Sequence, residues 1–111
     1  MDKQQIGVIG LTDSGKDIAL SIESRGYSVS VYSHSFIKTK EFIKKEAQGK
    51  RVVGTYSISE FVDSLKKPCN ILIMMKTGRP TNLTINALKP FLQKGDIIID
   101  GGNALRRILF L

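Results

Sequence analysis

Apolar residues of this chain gather in four short runs that are rich in β-branched side chains. The first, third and fourth runs are almost entirely apolar, without the alternation of a half-exposed strand. Such runs are typical of parallel strands that helices cover on both faces. We therefore predict strands at Ile6–Ile9, Ser28–Tyr32, Ile71–Met75 and Ile97–Ile99.

Between the first two runs the apolar residues change to a helical period. Ile18, Ala19 and Ile22 recur three and four residues apart after Gly15. Gly26 then stands where a glycine commonly ends a helix. A helix is predicted between these two glycines.

Two further helices are marked at their ends. Ser57 and Glu60 have capping-box spacing, so a short helix should run to about Leu65. Another begins near Pro80, and Pro90 should shorten or bend it. Its apolar positions are Ile85, Leu88 and Leu92.

With a weak strand expected at Val52–Tyr56, strands and helices alternate along the chain. This order predicts a single α/β domain of the Rossmann type, with a doubly wound, mainly parallel sheet and helices on both faces. A length of 111 residues, 41% hydrophobic, fits one modest core, and no second domain is expected.

Composition narrows the classes of partner. No apolar stretch approaches the roughly 18 to 20 residues that span a bilayer, and the polar start is unlike a secretion signal. A cytoplasmic protein without a membrane partner is expected. Cys69 is the only cysteine and His34 the only histidine, so we expect no internal disulfide and no metal site.

The net charge of +7 would suit a phosphate-rich partner. Much of it lies in residues 36–51, a basic helix and loop whose simplest interpretation is a solvated face. No nucleic-acid partner is expected, because aromatic residues are not interleaved there for base stacking. The bases are Lys38, Lys40, Lys44, Lys45, Lys50 and Arg51.

The first strand leads into its helix through the six residues from Gly10 to Gly15. A dinucleotide pyrophosphate would lie here against free backbone N–H groups, including that of Ser14, and the positive end of the helix. Gly10 permits a tight turn and Gly15 a close helix–strand contact. Thr12 and Asp13 add bulk and negative charge, which weakens this interpretation. The alternative is a turn that the glycines merely shape.

The second strand ends in Ser33, His34 and Ser35, without the acid that usually binds the ribose hydroxyls of NAD. Hydroxyl groups and a possible cation favour the 2′-phosphate of NADP instead. An exposed loop histidine is the alternative for His34.

Three segments carry a family resemblance. Residues Ile6–Gly10, Ile22–Tyr32 and Gly95–Asn103, the last with its Ile-Asp-Gly-Gly-Asn run, resemble the amino-terminal domain of 6-phosphogluconate dehydrogenase. The likeness covers about residues 3–103. It implies an NADP-binding domain of an oxidoreductase of the pentose phosphate pathway.

The resemblance also implies what these 111 residues lack. In the family a following helical domain supplies the lysine and glutamate of the oxidative decarboxylation, so the chain alone is expected to be inactive. The family's Gly-Leu-Ala-Val-Met-Gly turn and its Asn-Arg-Ser or Asn-Arg-Thr motif are altered here. Coenzyme binding is therefore expected to be weak or lost.

Further contacts follow from the resemblance. The loop with Met75, Lys76 and Thr77 would flank the dinucleotide. Asn103 matches an asparagine near nicotinamide and substrate, the alternative being a turn residue that caps a helix.

The family pattern stops after Asn103, which divides the chain into residues 1–103 and an apolar tail, 104–111. Leu105, Ile108 and Leu109 would share one face of a helix, and we expect this tail to form a homodimer. A non-enzymatic interaction or regulatory domain that reuses the scaffold, with coenzyme binding lost, remains the alternative function.

Overall fold

Apart from the tail, the strands and helices expected from the apolar pattern are present in the computed structural model of the chain, which describes residues 2–75, 79–101 and 107–111. A 3₁₀ turn at Lys89–Phe91 follows the last helix. The elements are β1 (Ile6–Ile9), α1 (Asp13–Ser24), β2 (Val29–Tyr32), α2 (Phe36–Lys44), β3 (Val52–Thr55), α3 (Ile58–Asp63), β4 (Asn70–Ile73), α4 (Arg79–Leu88), β5 (Ile97–Asp100) and β6 (Arg107–Phe110).

The strands form one sheet in the order β3-β2-β1-β4-β5-β6. All neighbours are parallel except β5 and β6, which are antiparallel. The predicted Rossmann-type, mainly parallel sheet is confirmed. The order reverses between β1 and β4, and a crevice outside the carboxyl ends of strands at such a reversal is the usual ligand position in open α/β sheets.

Two apolar clusters cover the two faces of the sheet. One joins β-strand residues such as Ile9 and Ile73 to Phe61 of α3 and Leu88 of α4. The other places Ala19 and Phe42 of α1 and α2 against the opposite face. The near-continuous apolar character of the central strands follows from this double coverage.

The predicted helix ends mostly agree with the structure. Helix α1 begins at Asp13, two residues before Gly15, and Gly26 follows its end with a φ of 101°. Ser57 caps α3 by accepting a hydrogen bond from the Glu60 N–H. Helix α4 stops at Leu88, where the 3₁₀ turn with Pro90 follows, so the expected shortening is confirmed.

The prediction of a helical tail is wrong, because Arg107–Phe110 form strand β6. The free edge of β5 offers backbone partners to the tail: Leu111 donates to Asp96 O at 3.0 Å and accepts from Gly95 N at 2.7 Å. Leu109 and Leu111 pack against the core, while Ile108 and Phe110 are exposed. Pairing with this edge satisfies backbone groups of the tail that a single helical turn would leave without partners. Leu105 and the expected boundary after Asn103 lie outside the described residues.

Candidate functional site

A cleft of about 340 Å³ opens at the carboxyl ends of β1 and β2, with the start of α4 as its far wall. It lies beside the reversal of strand order. Of the described residues that line it, none is acidic. They are Gly10, Leu11, Thr12, Ser33, His34, Ser35, Lys38, Met75 and Pro80.

The turn from β1 to α1 depends on two glycines. Gly10 has a φ of 101°, and a Cβ there would lie 2.5 Å from the carbonyl oxygen of Met74. A Cβ on Gly15 would lie 1.9 Å from the carbonyl oxygen of Gly10. The chain can therefore turn beneath the end of β4 only because both residues lack side chains.

Thr12 is the N-cap of α1. Its Oγ1 accepts a hydrogen bond from the Gly15 N–H at 3.1 Å and donates to the Met74 carbonyl at 3.3 Å. Among the described residues, the N–H groups of Asp13 and Ser14 find no acceptor. The threonine thus occupies one N–H group that a phosphate could otherwise use, and two remain to face an anion.

The turn from β2 to α2 is built differently. Ser33 Oγ accepts from the Ser35 N–H at 3.1 Å, and Ser35 Oγ caps α2 by accepting from the Lys38 N–H at 3.3 Å. Each hydroxyl keeps its own hydrogen for a further acceptor. These two side chains can hold an anion without giving up their contacts to the backbone.

His34 spans the cleft from this second turn to α4. Its ring meets that of Tyr32 edge-on, with centroids 5.5 Å apart. Its Nε2 lies 3.3 Å from Oγ1 of the buried Thr84. The imidazole is therefore positioned by both walls of the cleft.

The sequence does not mark Lys38 as a site residue, because it resembles the other lysines of a solvated helix. It lies in the first turn of α2 and lines the cleft beside Ser35. The available signal was its spacing, three residues after the N-cap. Lys38 places a positive charge beside the second turn.

The predicted site residues divide into three groups. Gly10, Thr12, Ser33, His34, Ser35 and Met75 come together in the cleft. Gly15 is buried beneath the turn, and Ser14 is exposed but does not line the cleft. Lys76, Thr77 and Asn103 lie outside the described residues.

Outside the cleft, the described residues include few side chains suited to nucleophilic or metal chemistry. Cys69 is buried at the amino end of β4, away from the cleft, and burial raises the pKa of its thiol despite the opposing Lys67 amine 3.3 Å from Sγ. A buried thiol of this kind is a poor nucleophile. No group of three metal-ligating side chains occurs within the described ranges, and no helix in them could cross a bilayer.

Comparison with known proteins gives one consistent result. A profile of the NAD binding domain of 6-phosphogluconate dehydrogenase matches residues 5–107. The NADP(+)-dependent decarboxylating enzyme of Bacillus subtilis is 63% identical over 93% of this chain. The Salmonella typhimurium enzyme is 55% identical over the same share. The chain spans 22% of the length of each of these two relatives.

Solved structures agree. Plasmodium falciparum 6-phosphogluconate dehydrogenase, studied as apo protein, with its cofactor NADP+ and with its substrate 6-phosphogluconate, is 34% identical with a TM-score of 0.79. The match covers 87% of this chain and 21% of that one. An imine reductase from Aspergillus terreus, 13% identical with a TM-score of 0.63, covers 78% of this chain and 28% of that one, and shares the fold alone.

Proposed function

This chain belongs to the 6-phosphogluconate dehydrogenase family, as its NAD-binding domain, and we propose that its cleft binds the adenosine-phosphate half of NADP. The observation that carries the proposal is the convergence of Ser33, His34, Ser35 and Lys38 on a cleft without an acidic lining residue. An acid at the end of β2 would favour the ribose hydroxyls of NAD, whereas hydroxyl groups and an amine suit a 2′-phosphate.

The hydrogen-bond donors and charges of the cleft suit the 2′-phosphate of the coenzyme better than its pyrophosphate. At the second turn, hydroxyl hydrogens, an ammonium group and the start of α2 all favour negative charge. At the first turn, Thr12 caps one N–H group and the exposed Asp13 carboxylate repels a pyrophosphate. Binding is therefore expected to be weak and to depend mainly on the adenosine end.

Calorimetric titration with NADP and NAD tests this proposal. NADP should bind in the micromolar range and more tightly than NAD, and His34→Ala should weaken only the NADP complex. Phe91→Ala, an exposed change away from the cleft, is the matched control. Equal affinities for the two coenzymes, or no heat at millimolar concentration, would contradict the proposal.

Catalysis by these 111 residues alone is not expected. They correspond to 22% of the length of their relatives, and none of the described residues that line the cleft is a carboxylic acid that could accompany a lysine in acid–base chemistry. Incubation with 6-phosphogluconate and NADP should produce no NADPH absorbance. Turnover above a blank, by protein free of full-length enzyme, would contradict this expectation.

The tail, residues 104–111, supports a proposal of homodimer formation. Strand β6 lies at the edge of the sheet, and the alternation of an antiparallel ladder directs the backbone groups of Ile108 and Phe110 away from β5. The two residues are 56% and 75% exposed. A second copy pairing antiparallel along β6 would satisfy both the backbone and the apolar face.

Light scattering at high micromolar concentration checks the dimer. The mass should be that of two chains, and Ile108→Pro, which removes an outward N–H group, should return it to one. The exposed Leu83→Ala change on α4 serves as control. A monomer mass for the unaltered chain would contradict the proposal.

The exposed apolar face of β6 also favours the second candidate function, a non-enzymatic interaction or regulatory domain. For either function we propose a cytoplasmic location.

A further inference from the structure

Two exposed aromatic rings pair on the outside of the domain, beyond the residues that line the cleft. Phe36 begins α2 and Tyr56 follows β3 directly. Their ring centroids are 4.7 Å apart with planes tilted by 41°, yet the residues remain 58% and 41% exposed. Each residue thus keeps part of its surface exposed to solvent.

Lysines continue from this aromatic pair along α2. Lys40 Nζ lies 5.9 Å from the centroid of the Phe36 ring, and Lys44 follows one helical turn later. Within the described residues, no carboxylate lies within salt-bridge distance of either amine. The helix therefore presents positive charge that the protein itself does not neutralise.

We propose that Phe36, Tyr56, Lys40 and Lys44 form a binding surface for single-stranded nucleic acid. Exposed rings on which bases stack, beside a row of cations that follows the phosphates, are the two features that such binding needs. An acidic peptide would satisfy the charges but offers few planar groups to the rings. The proposal goes beyond coenzyme binding, because none of the four residues lines the cleft.

The sequence alone favours the opposite expectation. The other aromatic residue in residues 36–51, Phe42, is buried in the core, and Tyr56, the partner of Phe36, lies in a different element. Parallel pairing of β2 with β3 brings Tyr56 beside the start of α2. The combination of stacking surface and charge exists only in the folded chain.

Fluorescence anisotropy with a labelled oligothymidylate and the full chain tests the stacking part. Binding should be stronger than to a duplex of equal length, whose bases are not free to stack. Phe36→Ala with Tyr56→Ala should weaken it by about 5-fold to 100-fold, the range expected for loss of base–aromatic stacking. Phe36→Leu, which keeps apolar area but removes the ring, should weaken it as well.

Matched control variants test whether binding depends on these two rings or on any exposed aromatic residue. Phe91→Ala removes another exposed ring, 44% accessible, and should leave binding unchanged. Circular dichroism and the NADP titration should also be unchanged in the Phe36 and Tyr56 variants. If the unaltered chain does not bind NADP, the proposed coenzyme function is wrong, but the proposal for this surface still stands.

Salt dependence tests the lysines. Lys40→Gln with Lys44→Gln should reduce the slope of log affinity against log salt by about 0.7 per lost phosphate contact. Lys66→Gln with Lys94→Gln changes the net charge equally, elsewhere on the exposed surface, and should preserve more of the slope. Equal binding of duplex and single strand, equal effects of the two lysine pairs, or binding to phosphatidylserine vesicles but not to the oligonucleotide would each overturn the proposal.

Discussion

The two turns at the carboxyl edge of the sheet use their polar groups in opposite ways. In the turn from β1 to α1, Thr12 bonds to the backbone on both sides and Gly15 packs on Gly10. In the turn from β2 to α2, Ser33 and His34 keep donors or ring surface that face the cleft. We therefore expect the first turn to contribute mainly to stability and the second mainly to ligand affinity, so that substitutions separate the two.

The largest expected effect is on stability, at Gly15. An ordinary Gly→Ala change inside a helix stabilises it by about 1 kcal/mol. Gly15→Ala should instead lower the free energy of unfolding by about 3 kcal/mol, because the new Cβ meets the Gly10 carbonyl. Urea denaturation measures the change, with the exposed Ser14→Ala as control. If Gly15→Ala instead raises the free energy of unfolding, the close contact at this turn does not stabilise the fold.

The next effect should be on affinity alone. Lys38→Gln should weaken NADP binding by about 10-fold or more, the value of a hydrogen bond to a charged group, and leave NAD binding and stability unchanged. Lys94→Gln, with the same loss of charge away from the cleft, is the control. If both variants weaken NADP equally, the contribution is long-range charge and the second turn is not a specific site.

A smaller effect should appear where the two roles meet, at Thr12. Thr12→Ala removes the cap and should lower the free energy of unfolding by about 1 kcal/mol. Combined with Asp13→Val, it should increase NADP affinity, because a capped N–H group becomes free and a repelling charge is lost. Titration calorimetry compares this variant with Thr12→Ala plus Asp17→Val. Unchanged affinity would mean that the pyrophosphate does not lie at this turn.

The smallest effect concerns Cys69, at the opposite end of the sheet from both turns. Burial raises the pKa of its thiol in the folded chain, so the unfolded chain loses this proton at lower pH than the folded one. This contribution to stability is present below the ordinary thiol pKa and is lost as pH rises toward the folded value. The difference in the free energy of unfolding between the unaltered chain and Cys69→Ala should therefore become smaller in alkaline solution. NADP affinity should be the same for both.

Much of the fold could be predicted because its local signals agree with its tertiary contacts. Runs buried on both faces give parallel strands, and Ser57 and Gly26 fix helix ends. The tail could not be predicted from spacing, because Ile108 and Leu109 fit one face of a helix as well as a strand. The free edge of β5 decided the outcome, and that edge is a tertiary feature.

The candidate site could be predicted in part for a similar reason. Ser33, His34 and Ser35 follow a strand, and the carboxyl end of a parallel strand is where ligands lie. The cap formed by Thr12 and the position of Lys38 depend on how α1 and α2 leave their turns. The pairing of Phe36 with Tyr56 depends on strand order, which no local pattern contains.

The position of β1 in the sheet has a consequence for the kinetics of folding. Strands β1 to β3 form one half of the sheet and β4 to β6 the other, and among the described strands these halves pair through β1 and β4, which lie more than half of the chain apart. Closing so long a loop is slow compared with helix formation. The cleft takes Gly10 and Ser33 from the first half and Met75 and Pro80 from the second. A ligand held by both halves would bind only after they join, and would act as a clamp that slows their separation.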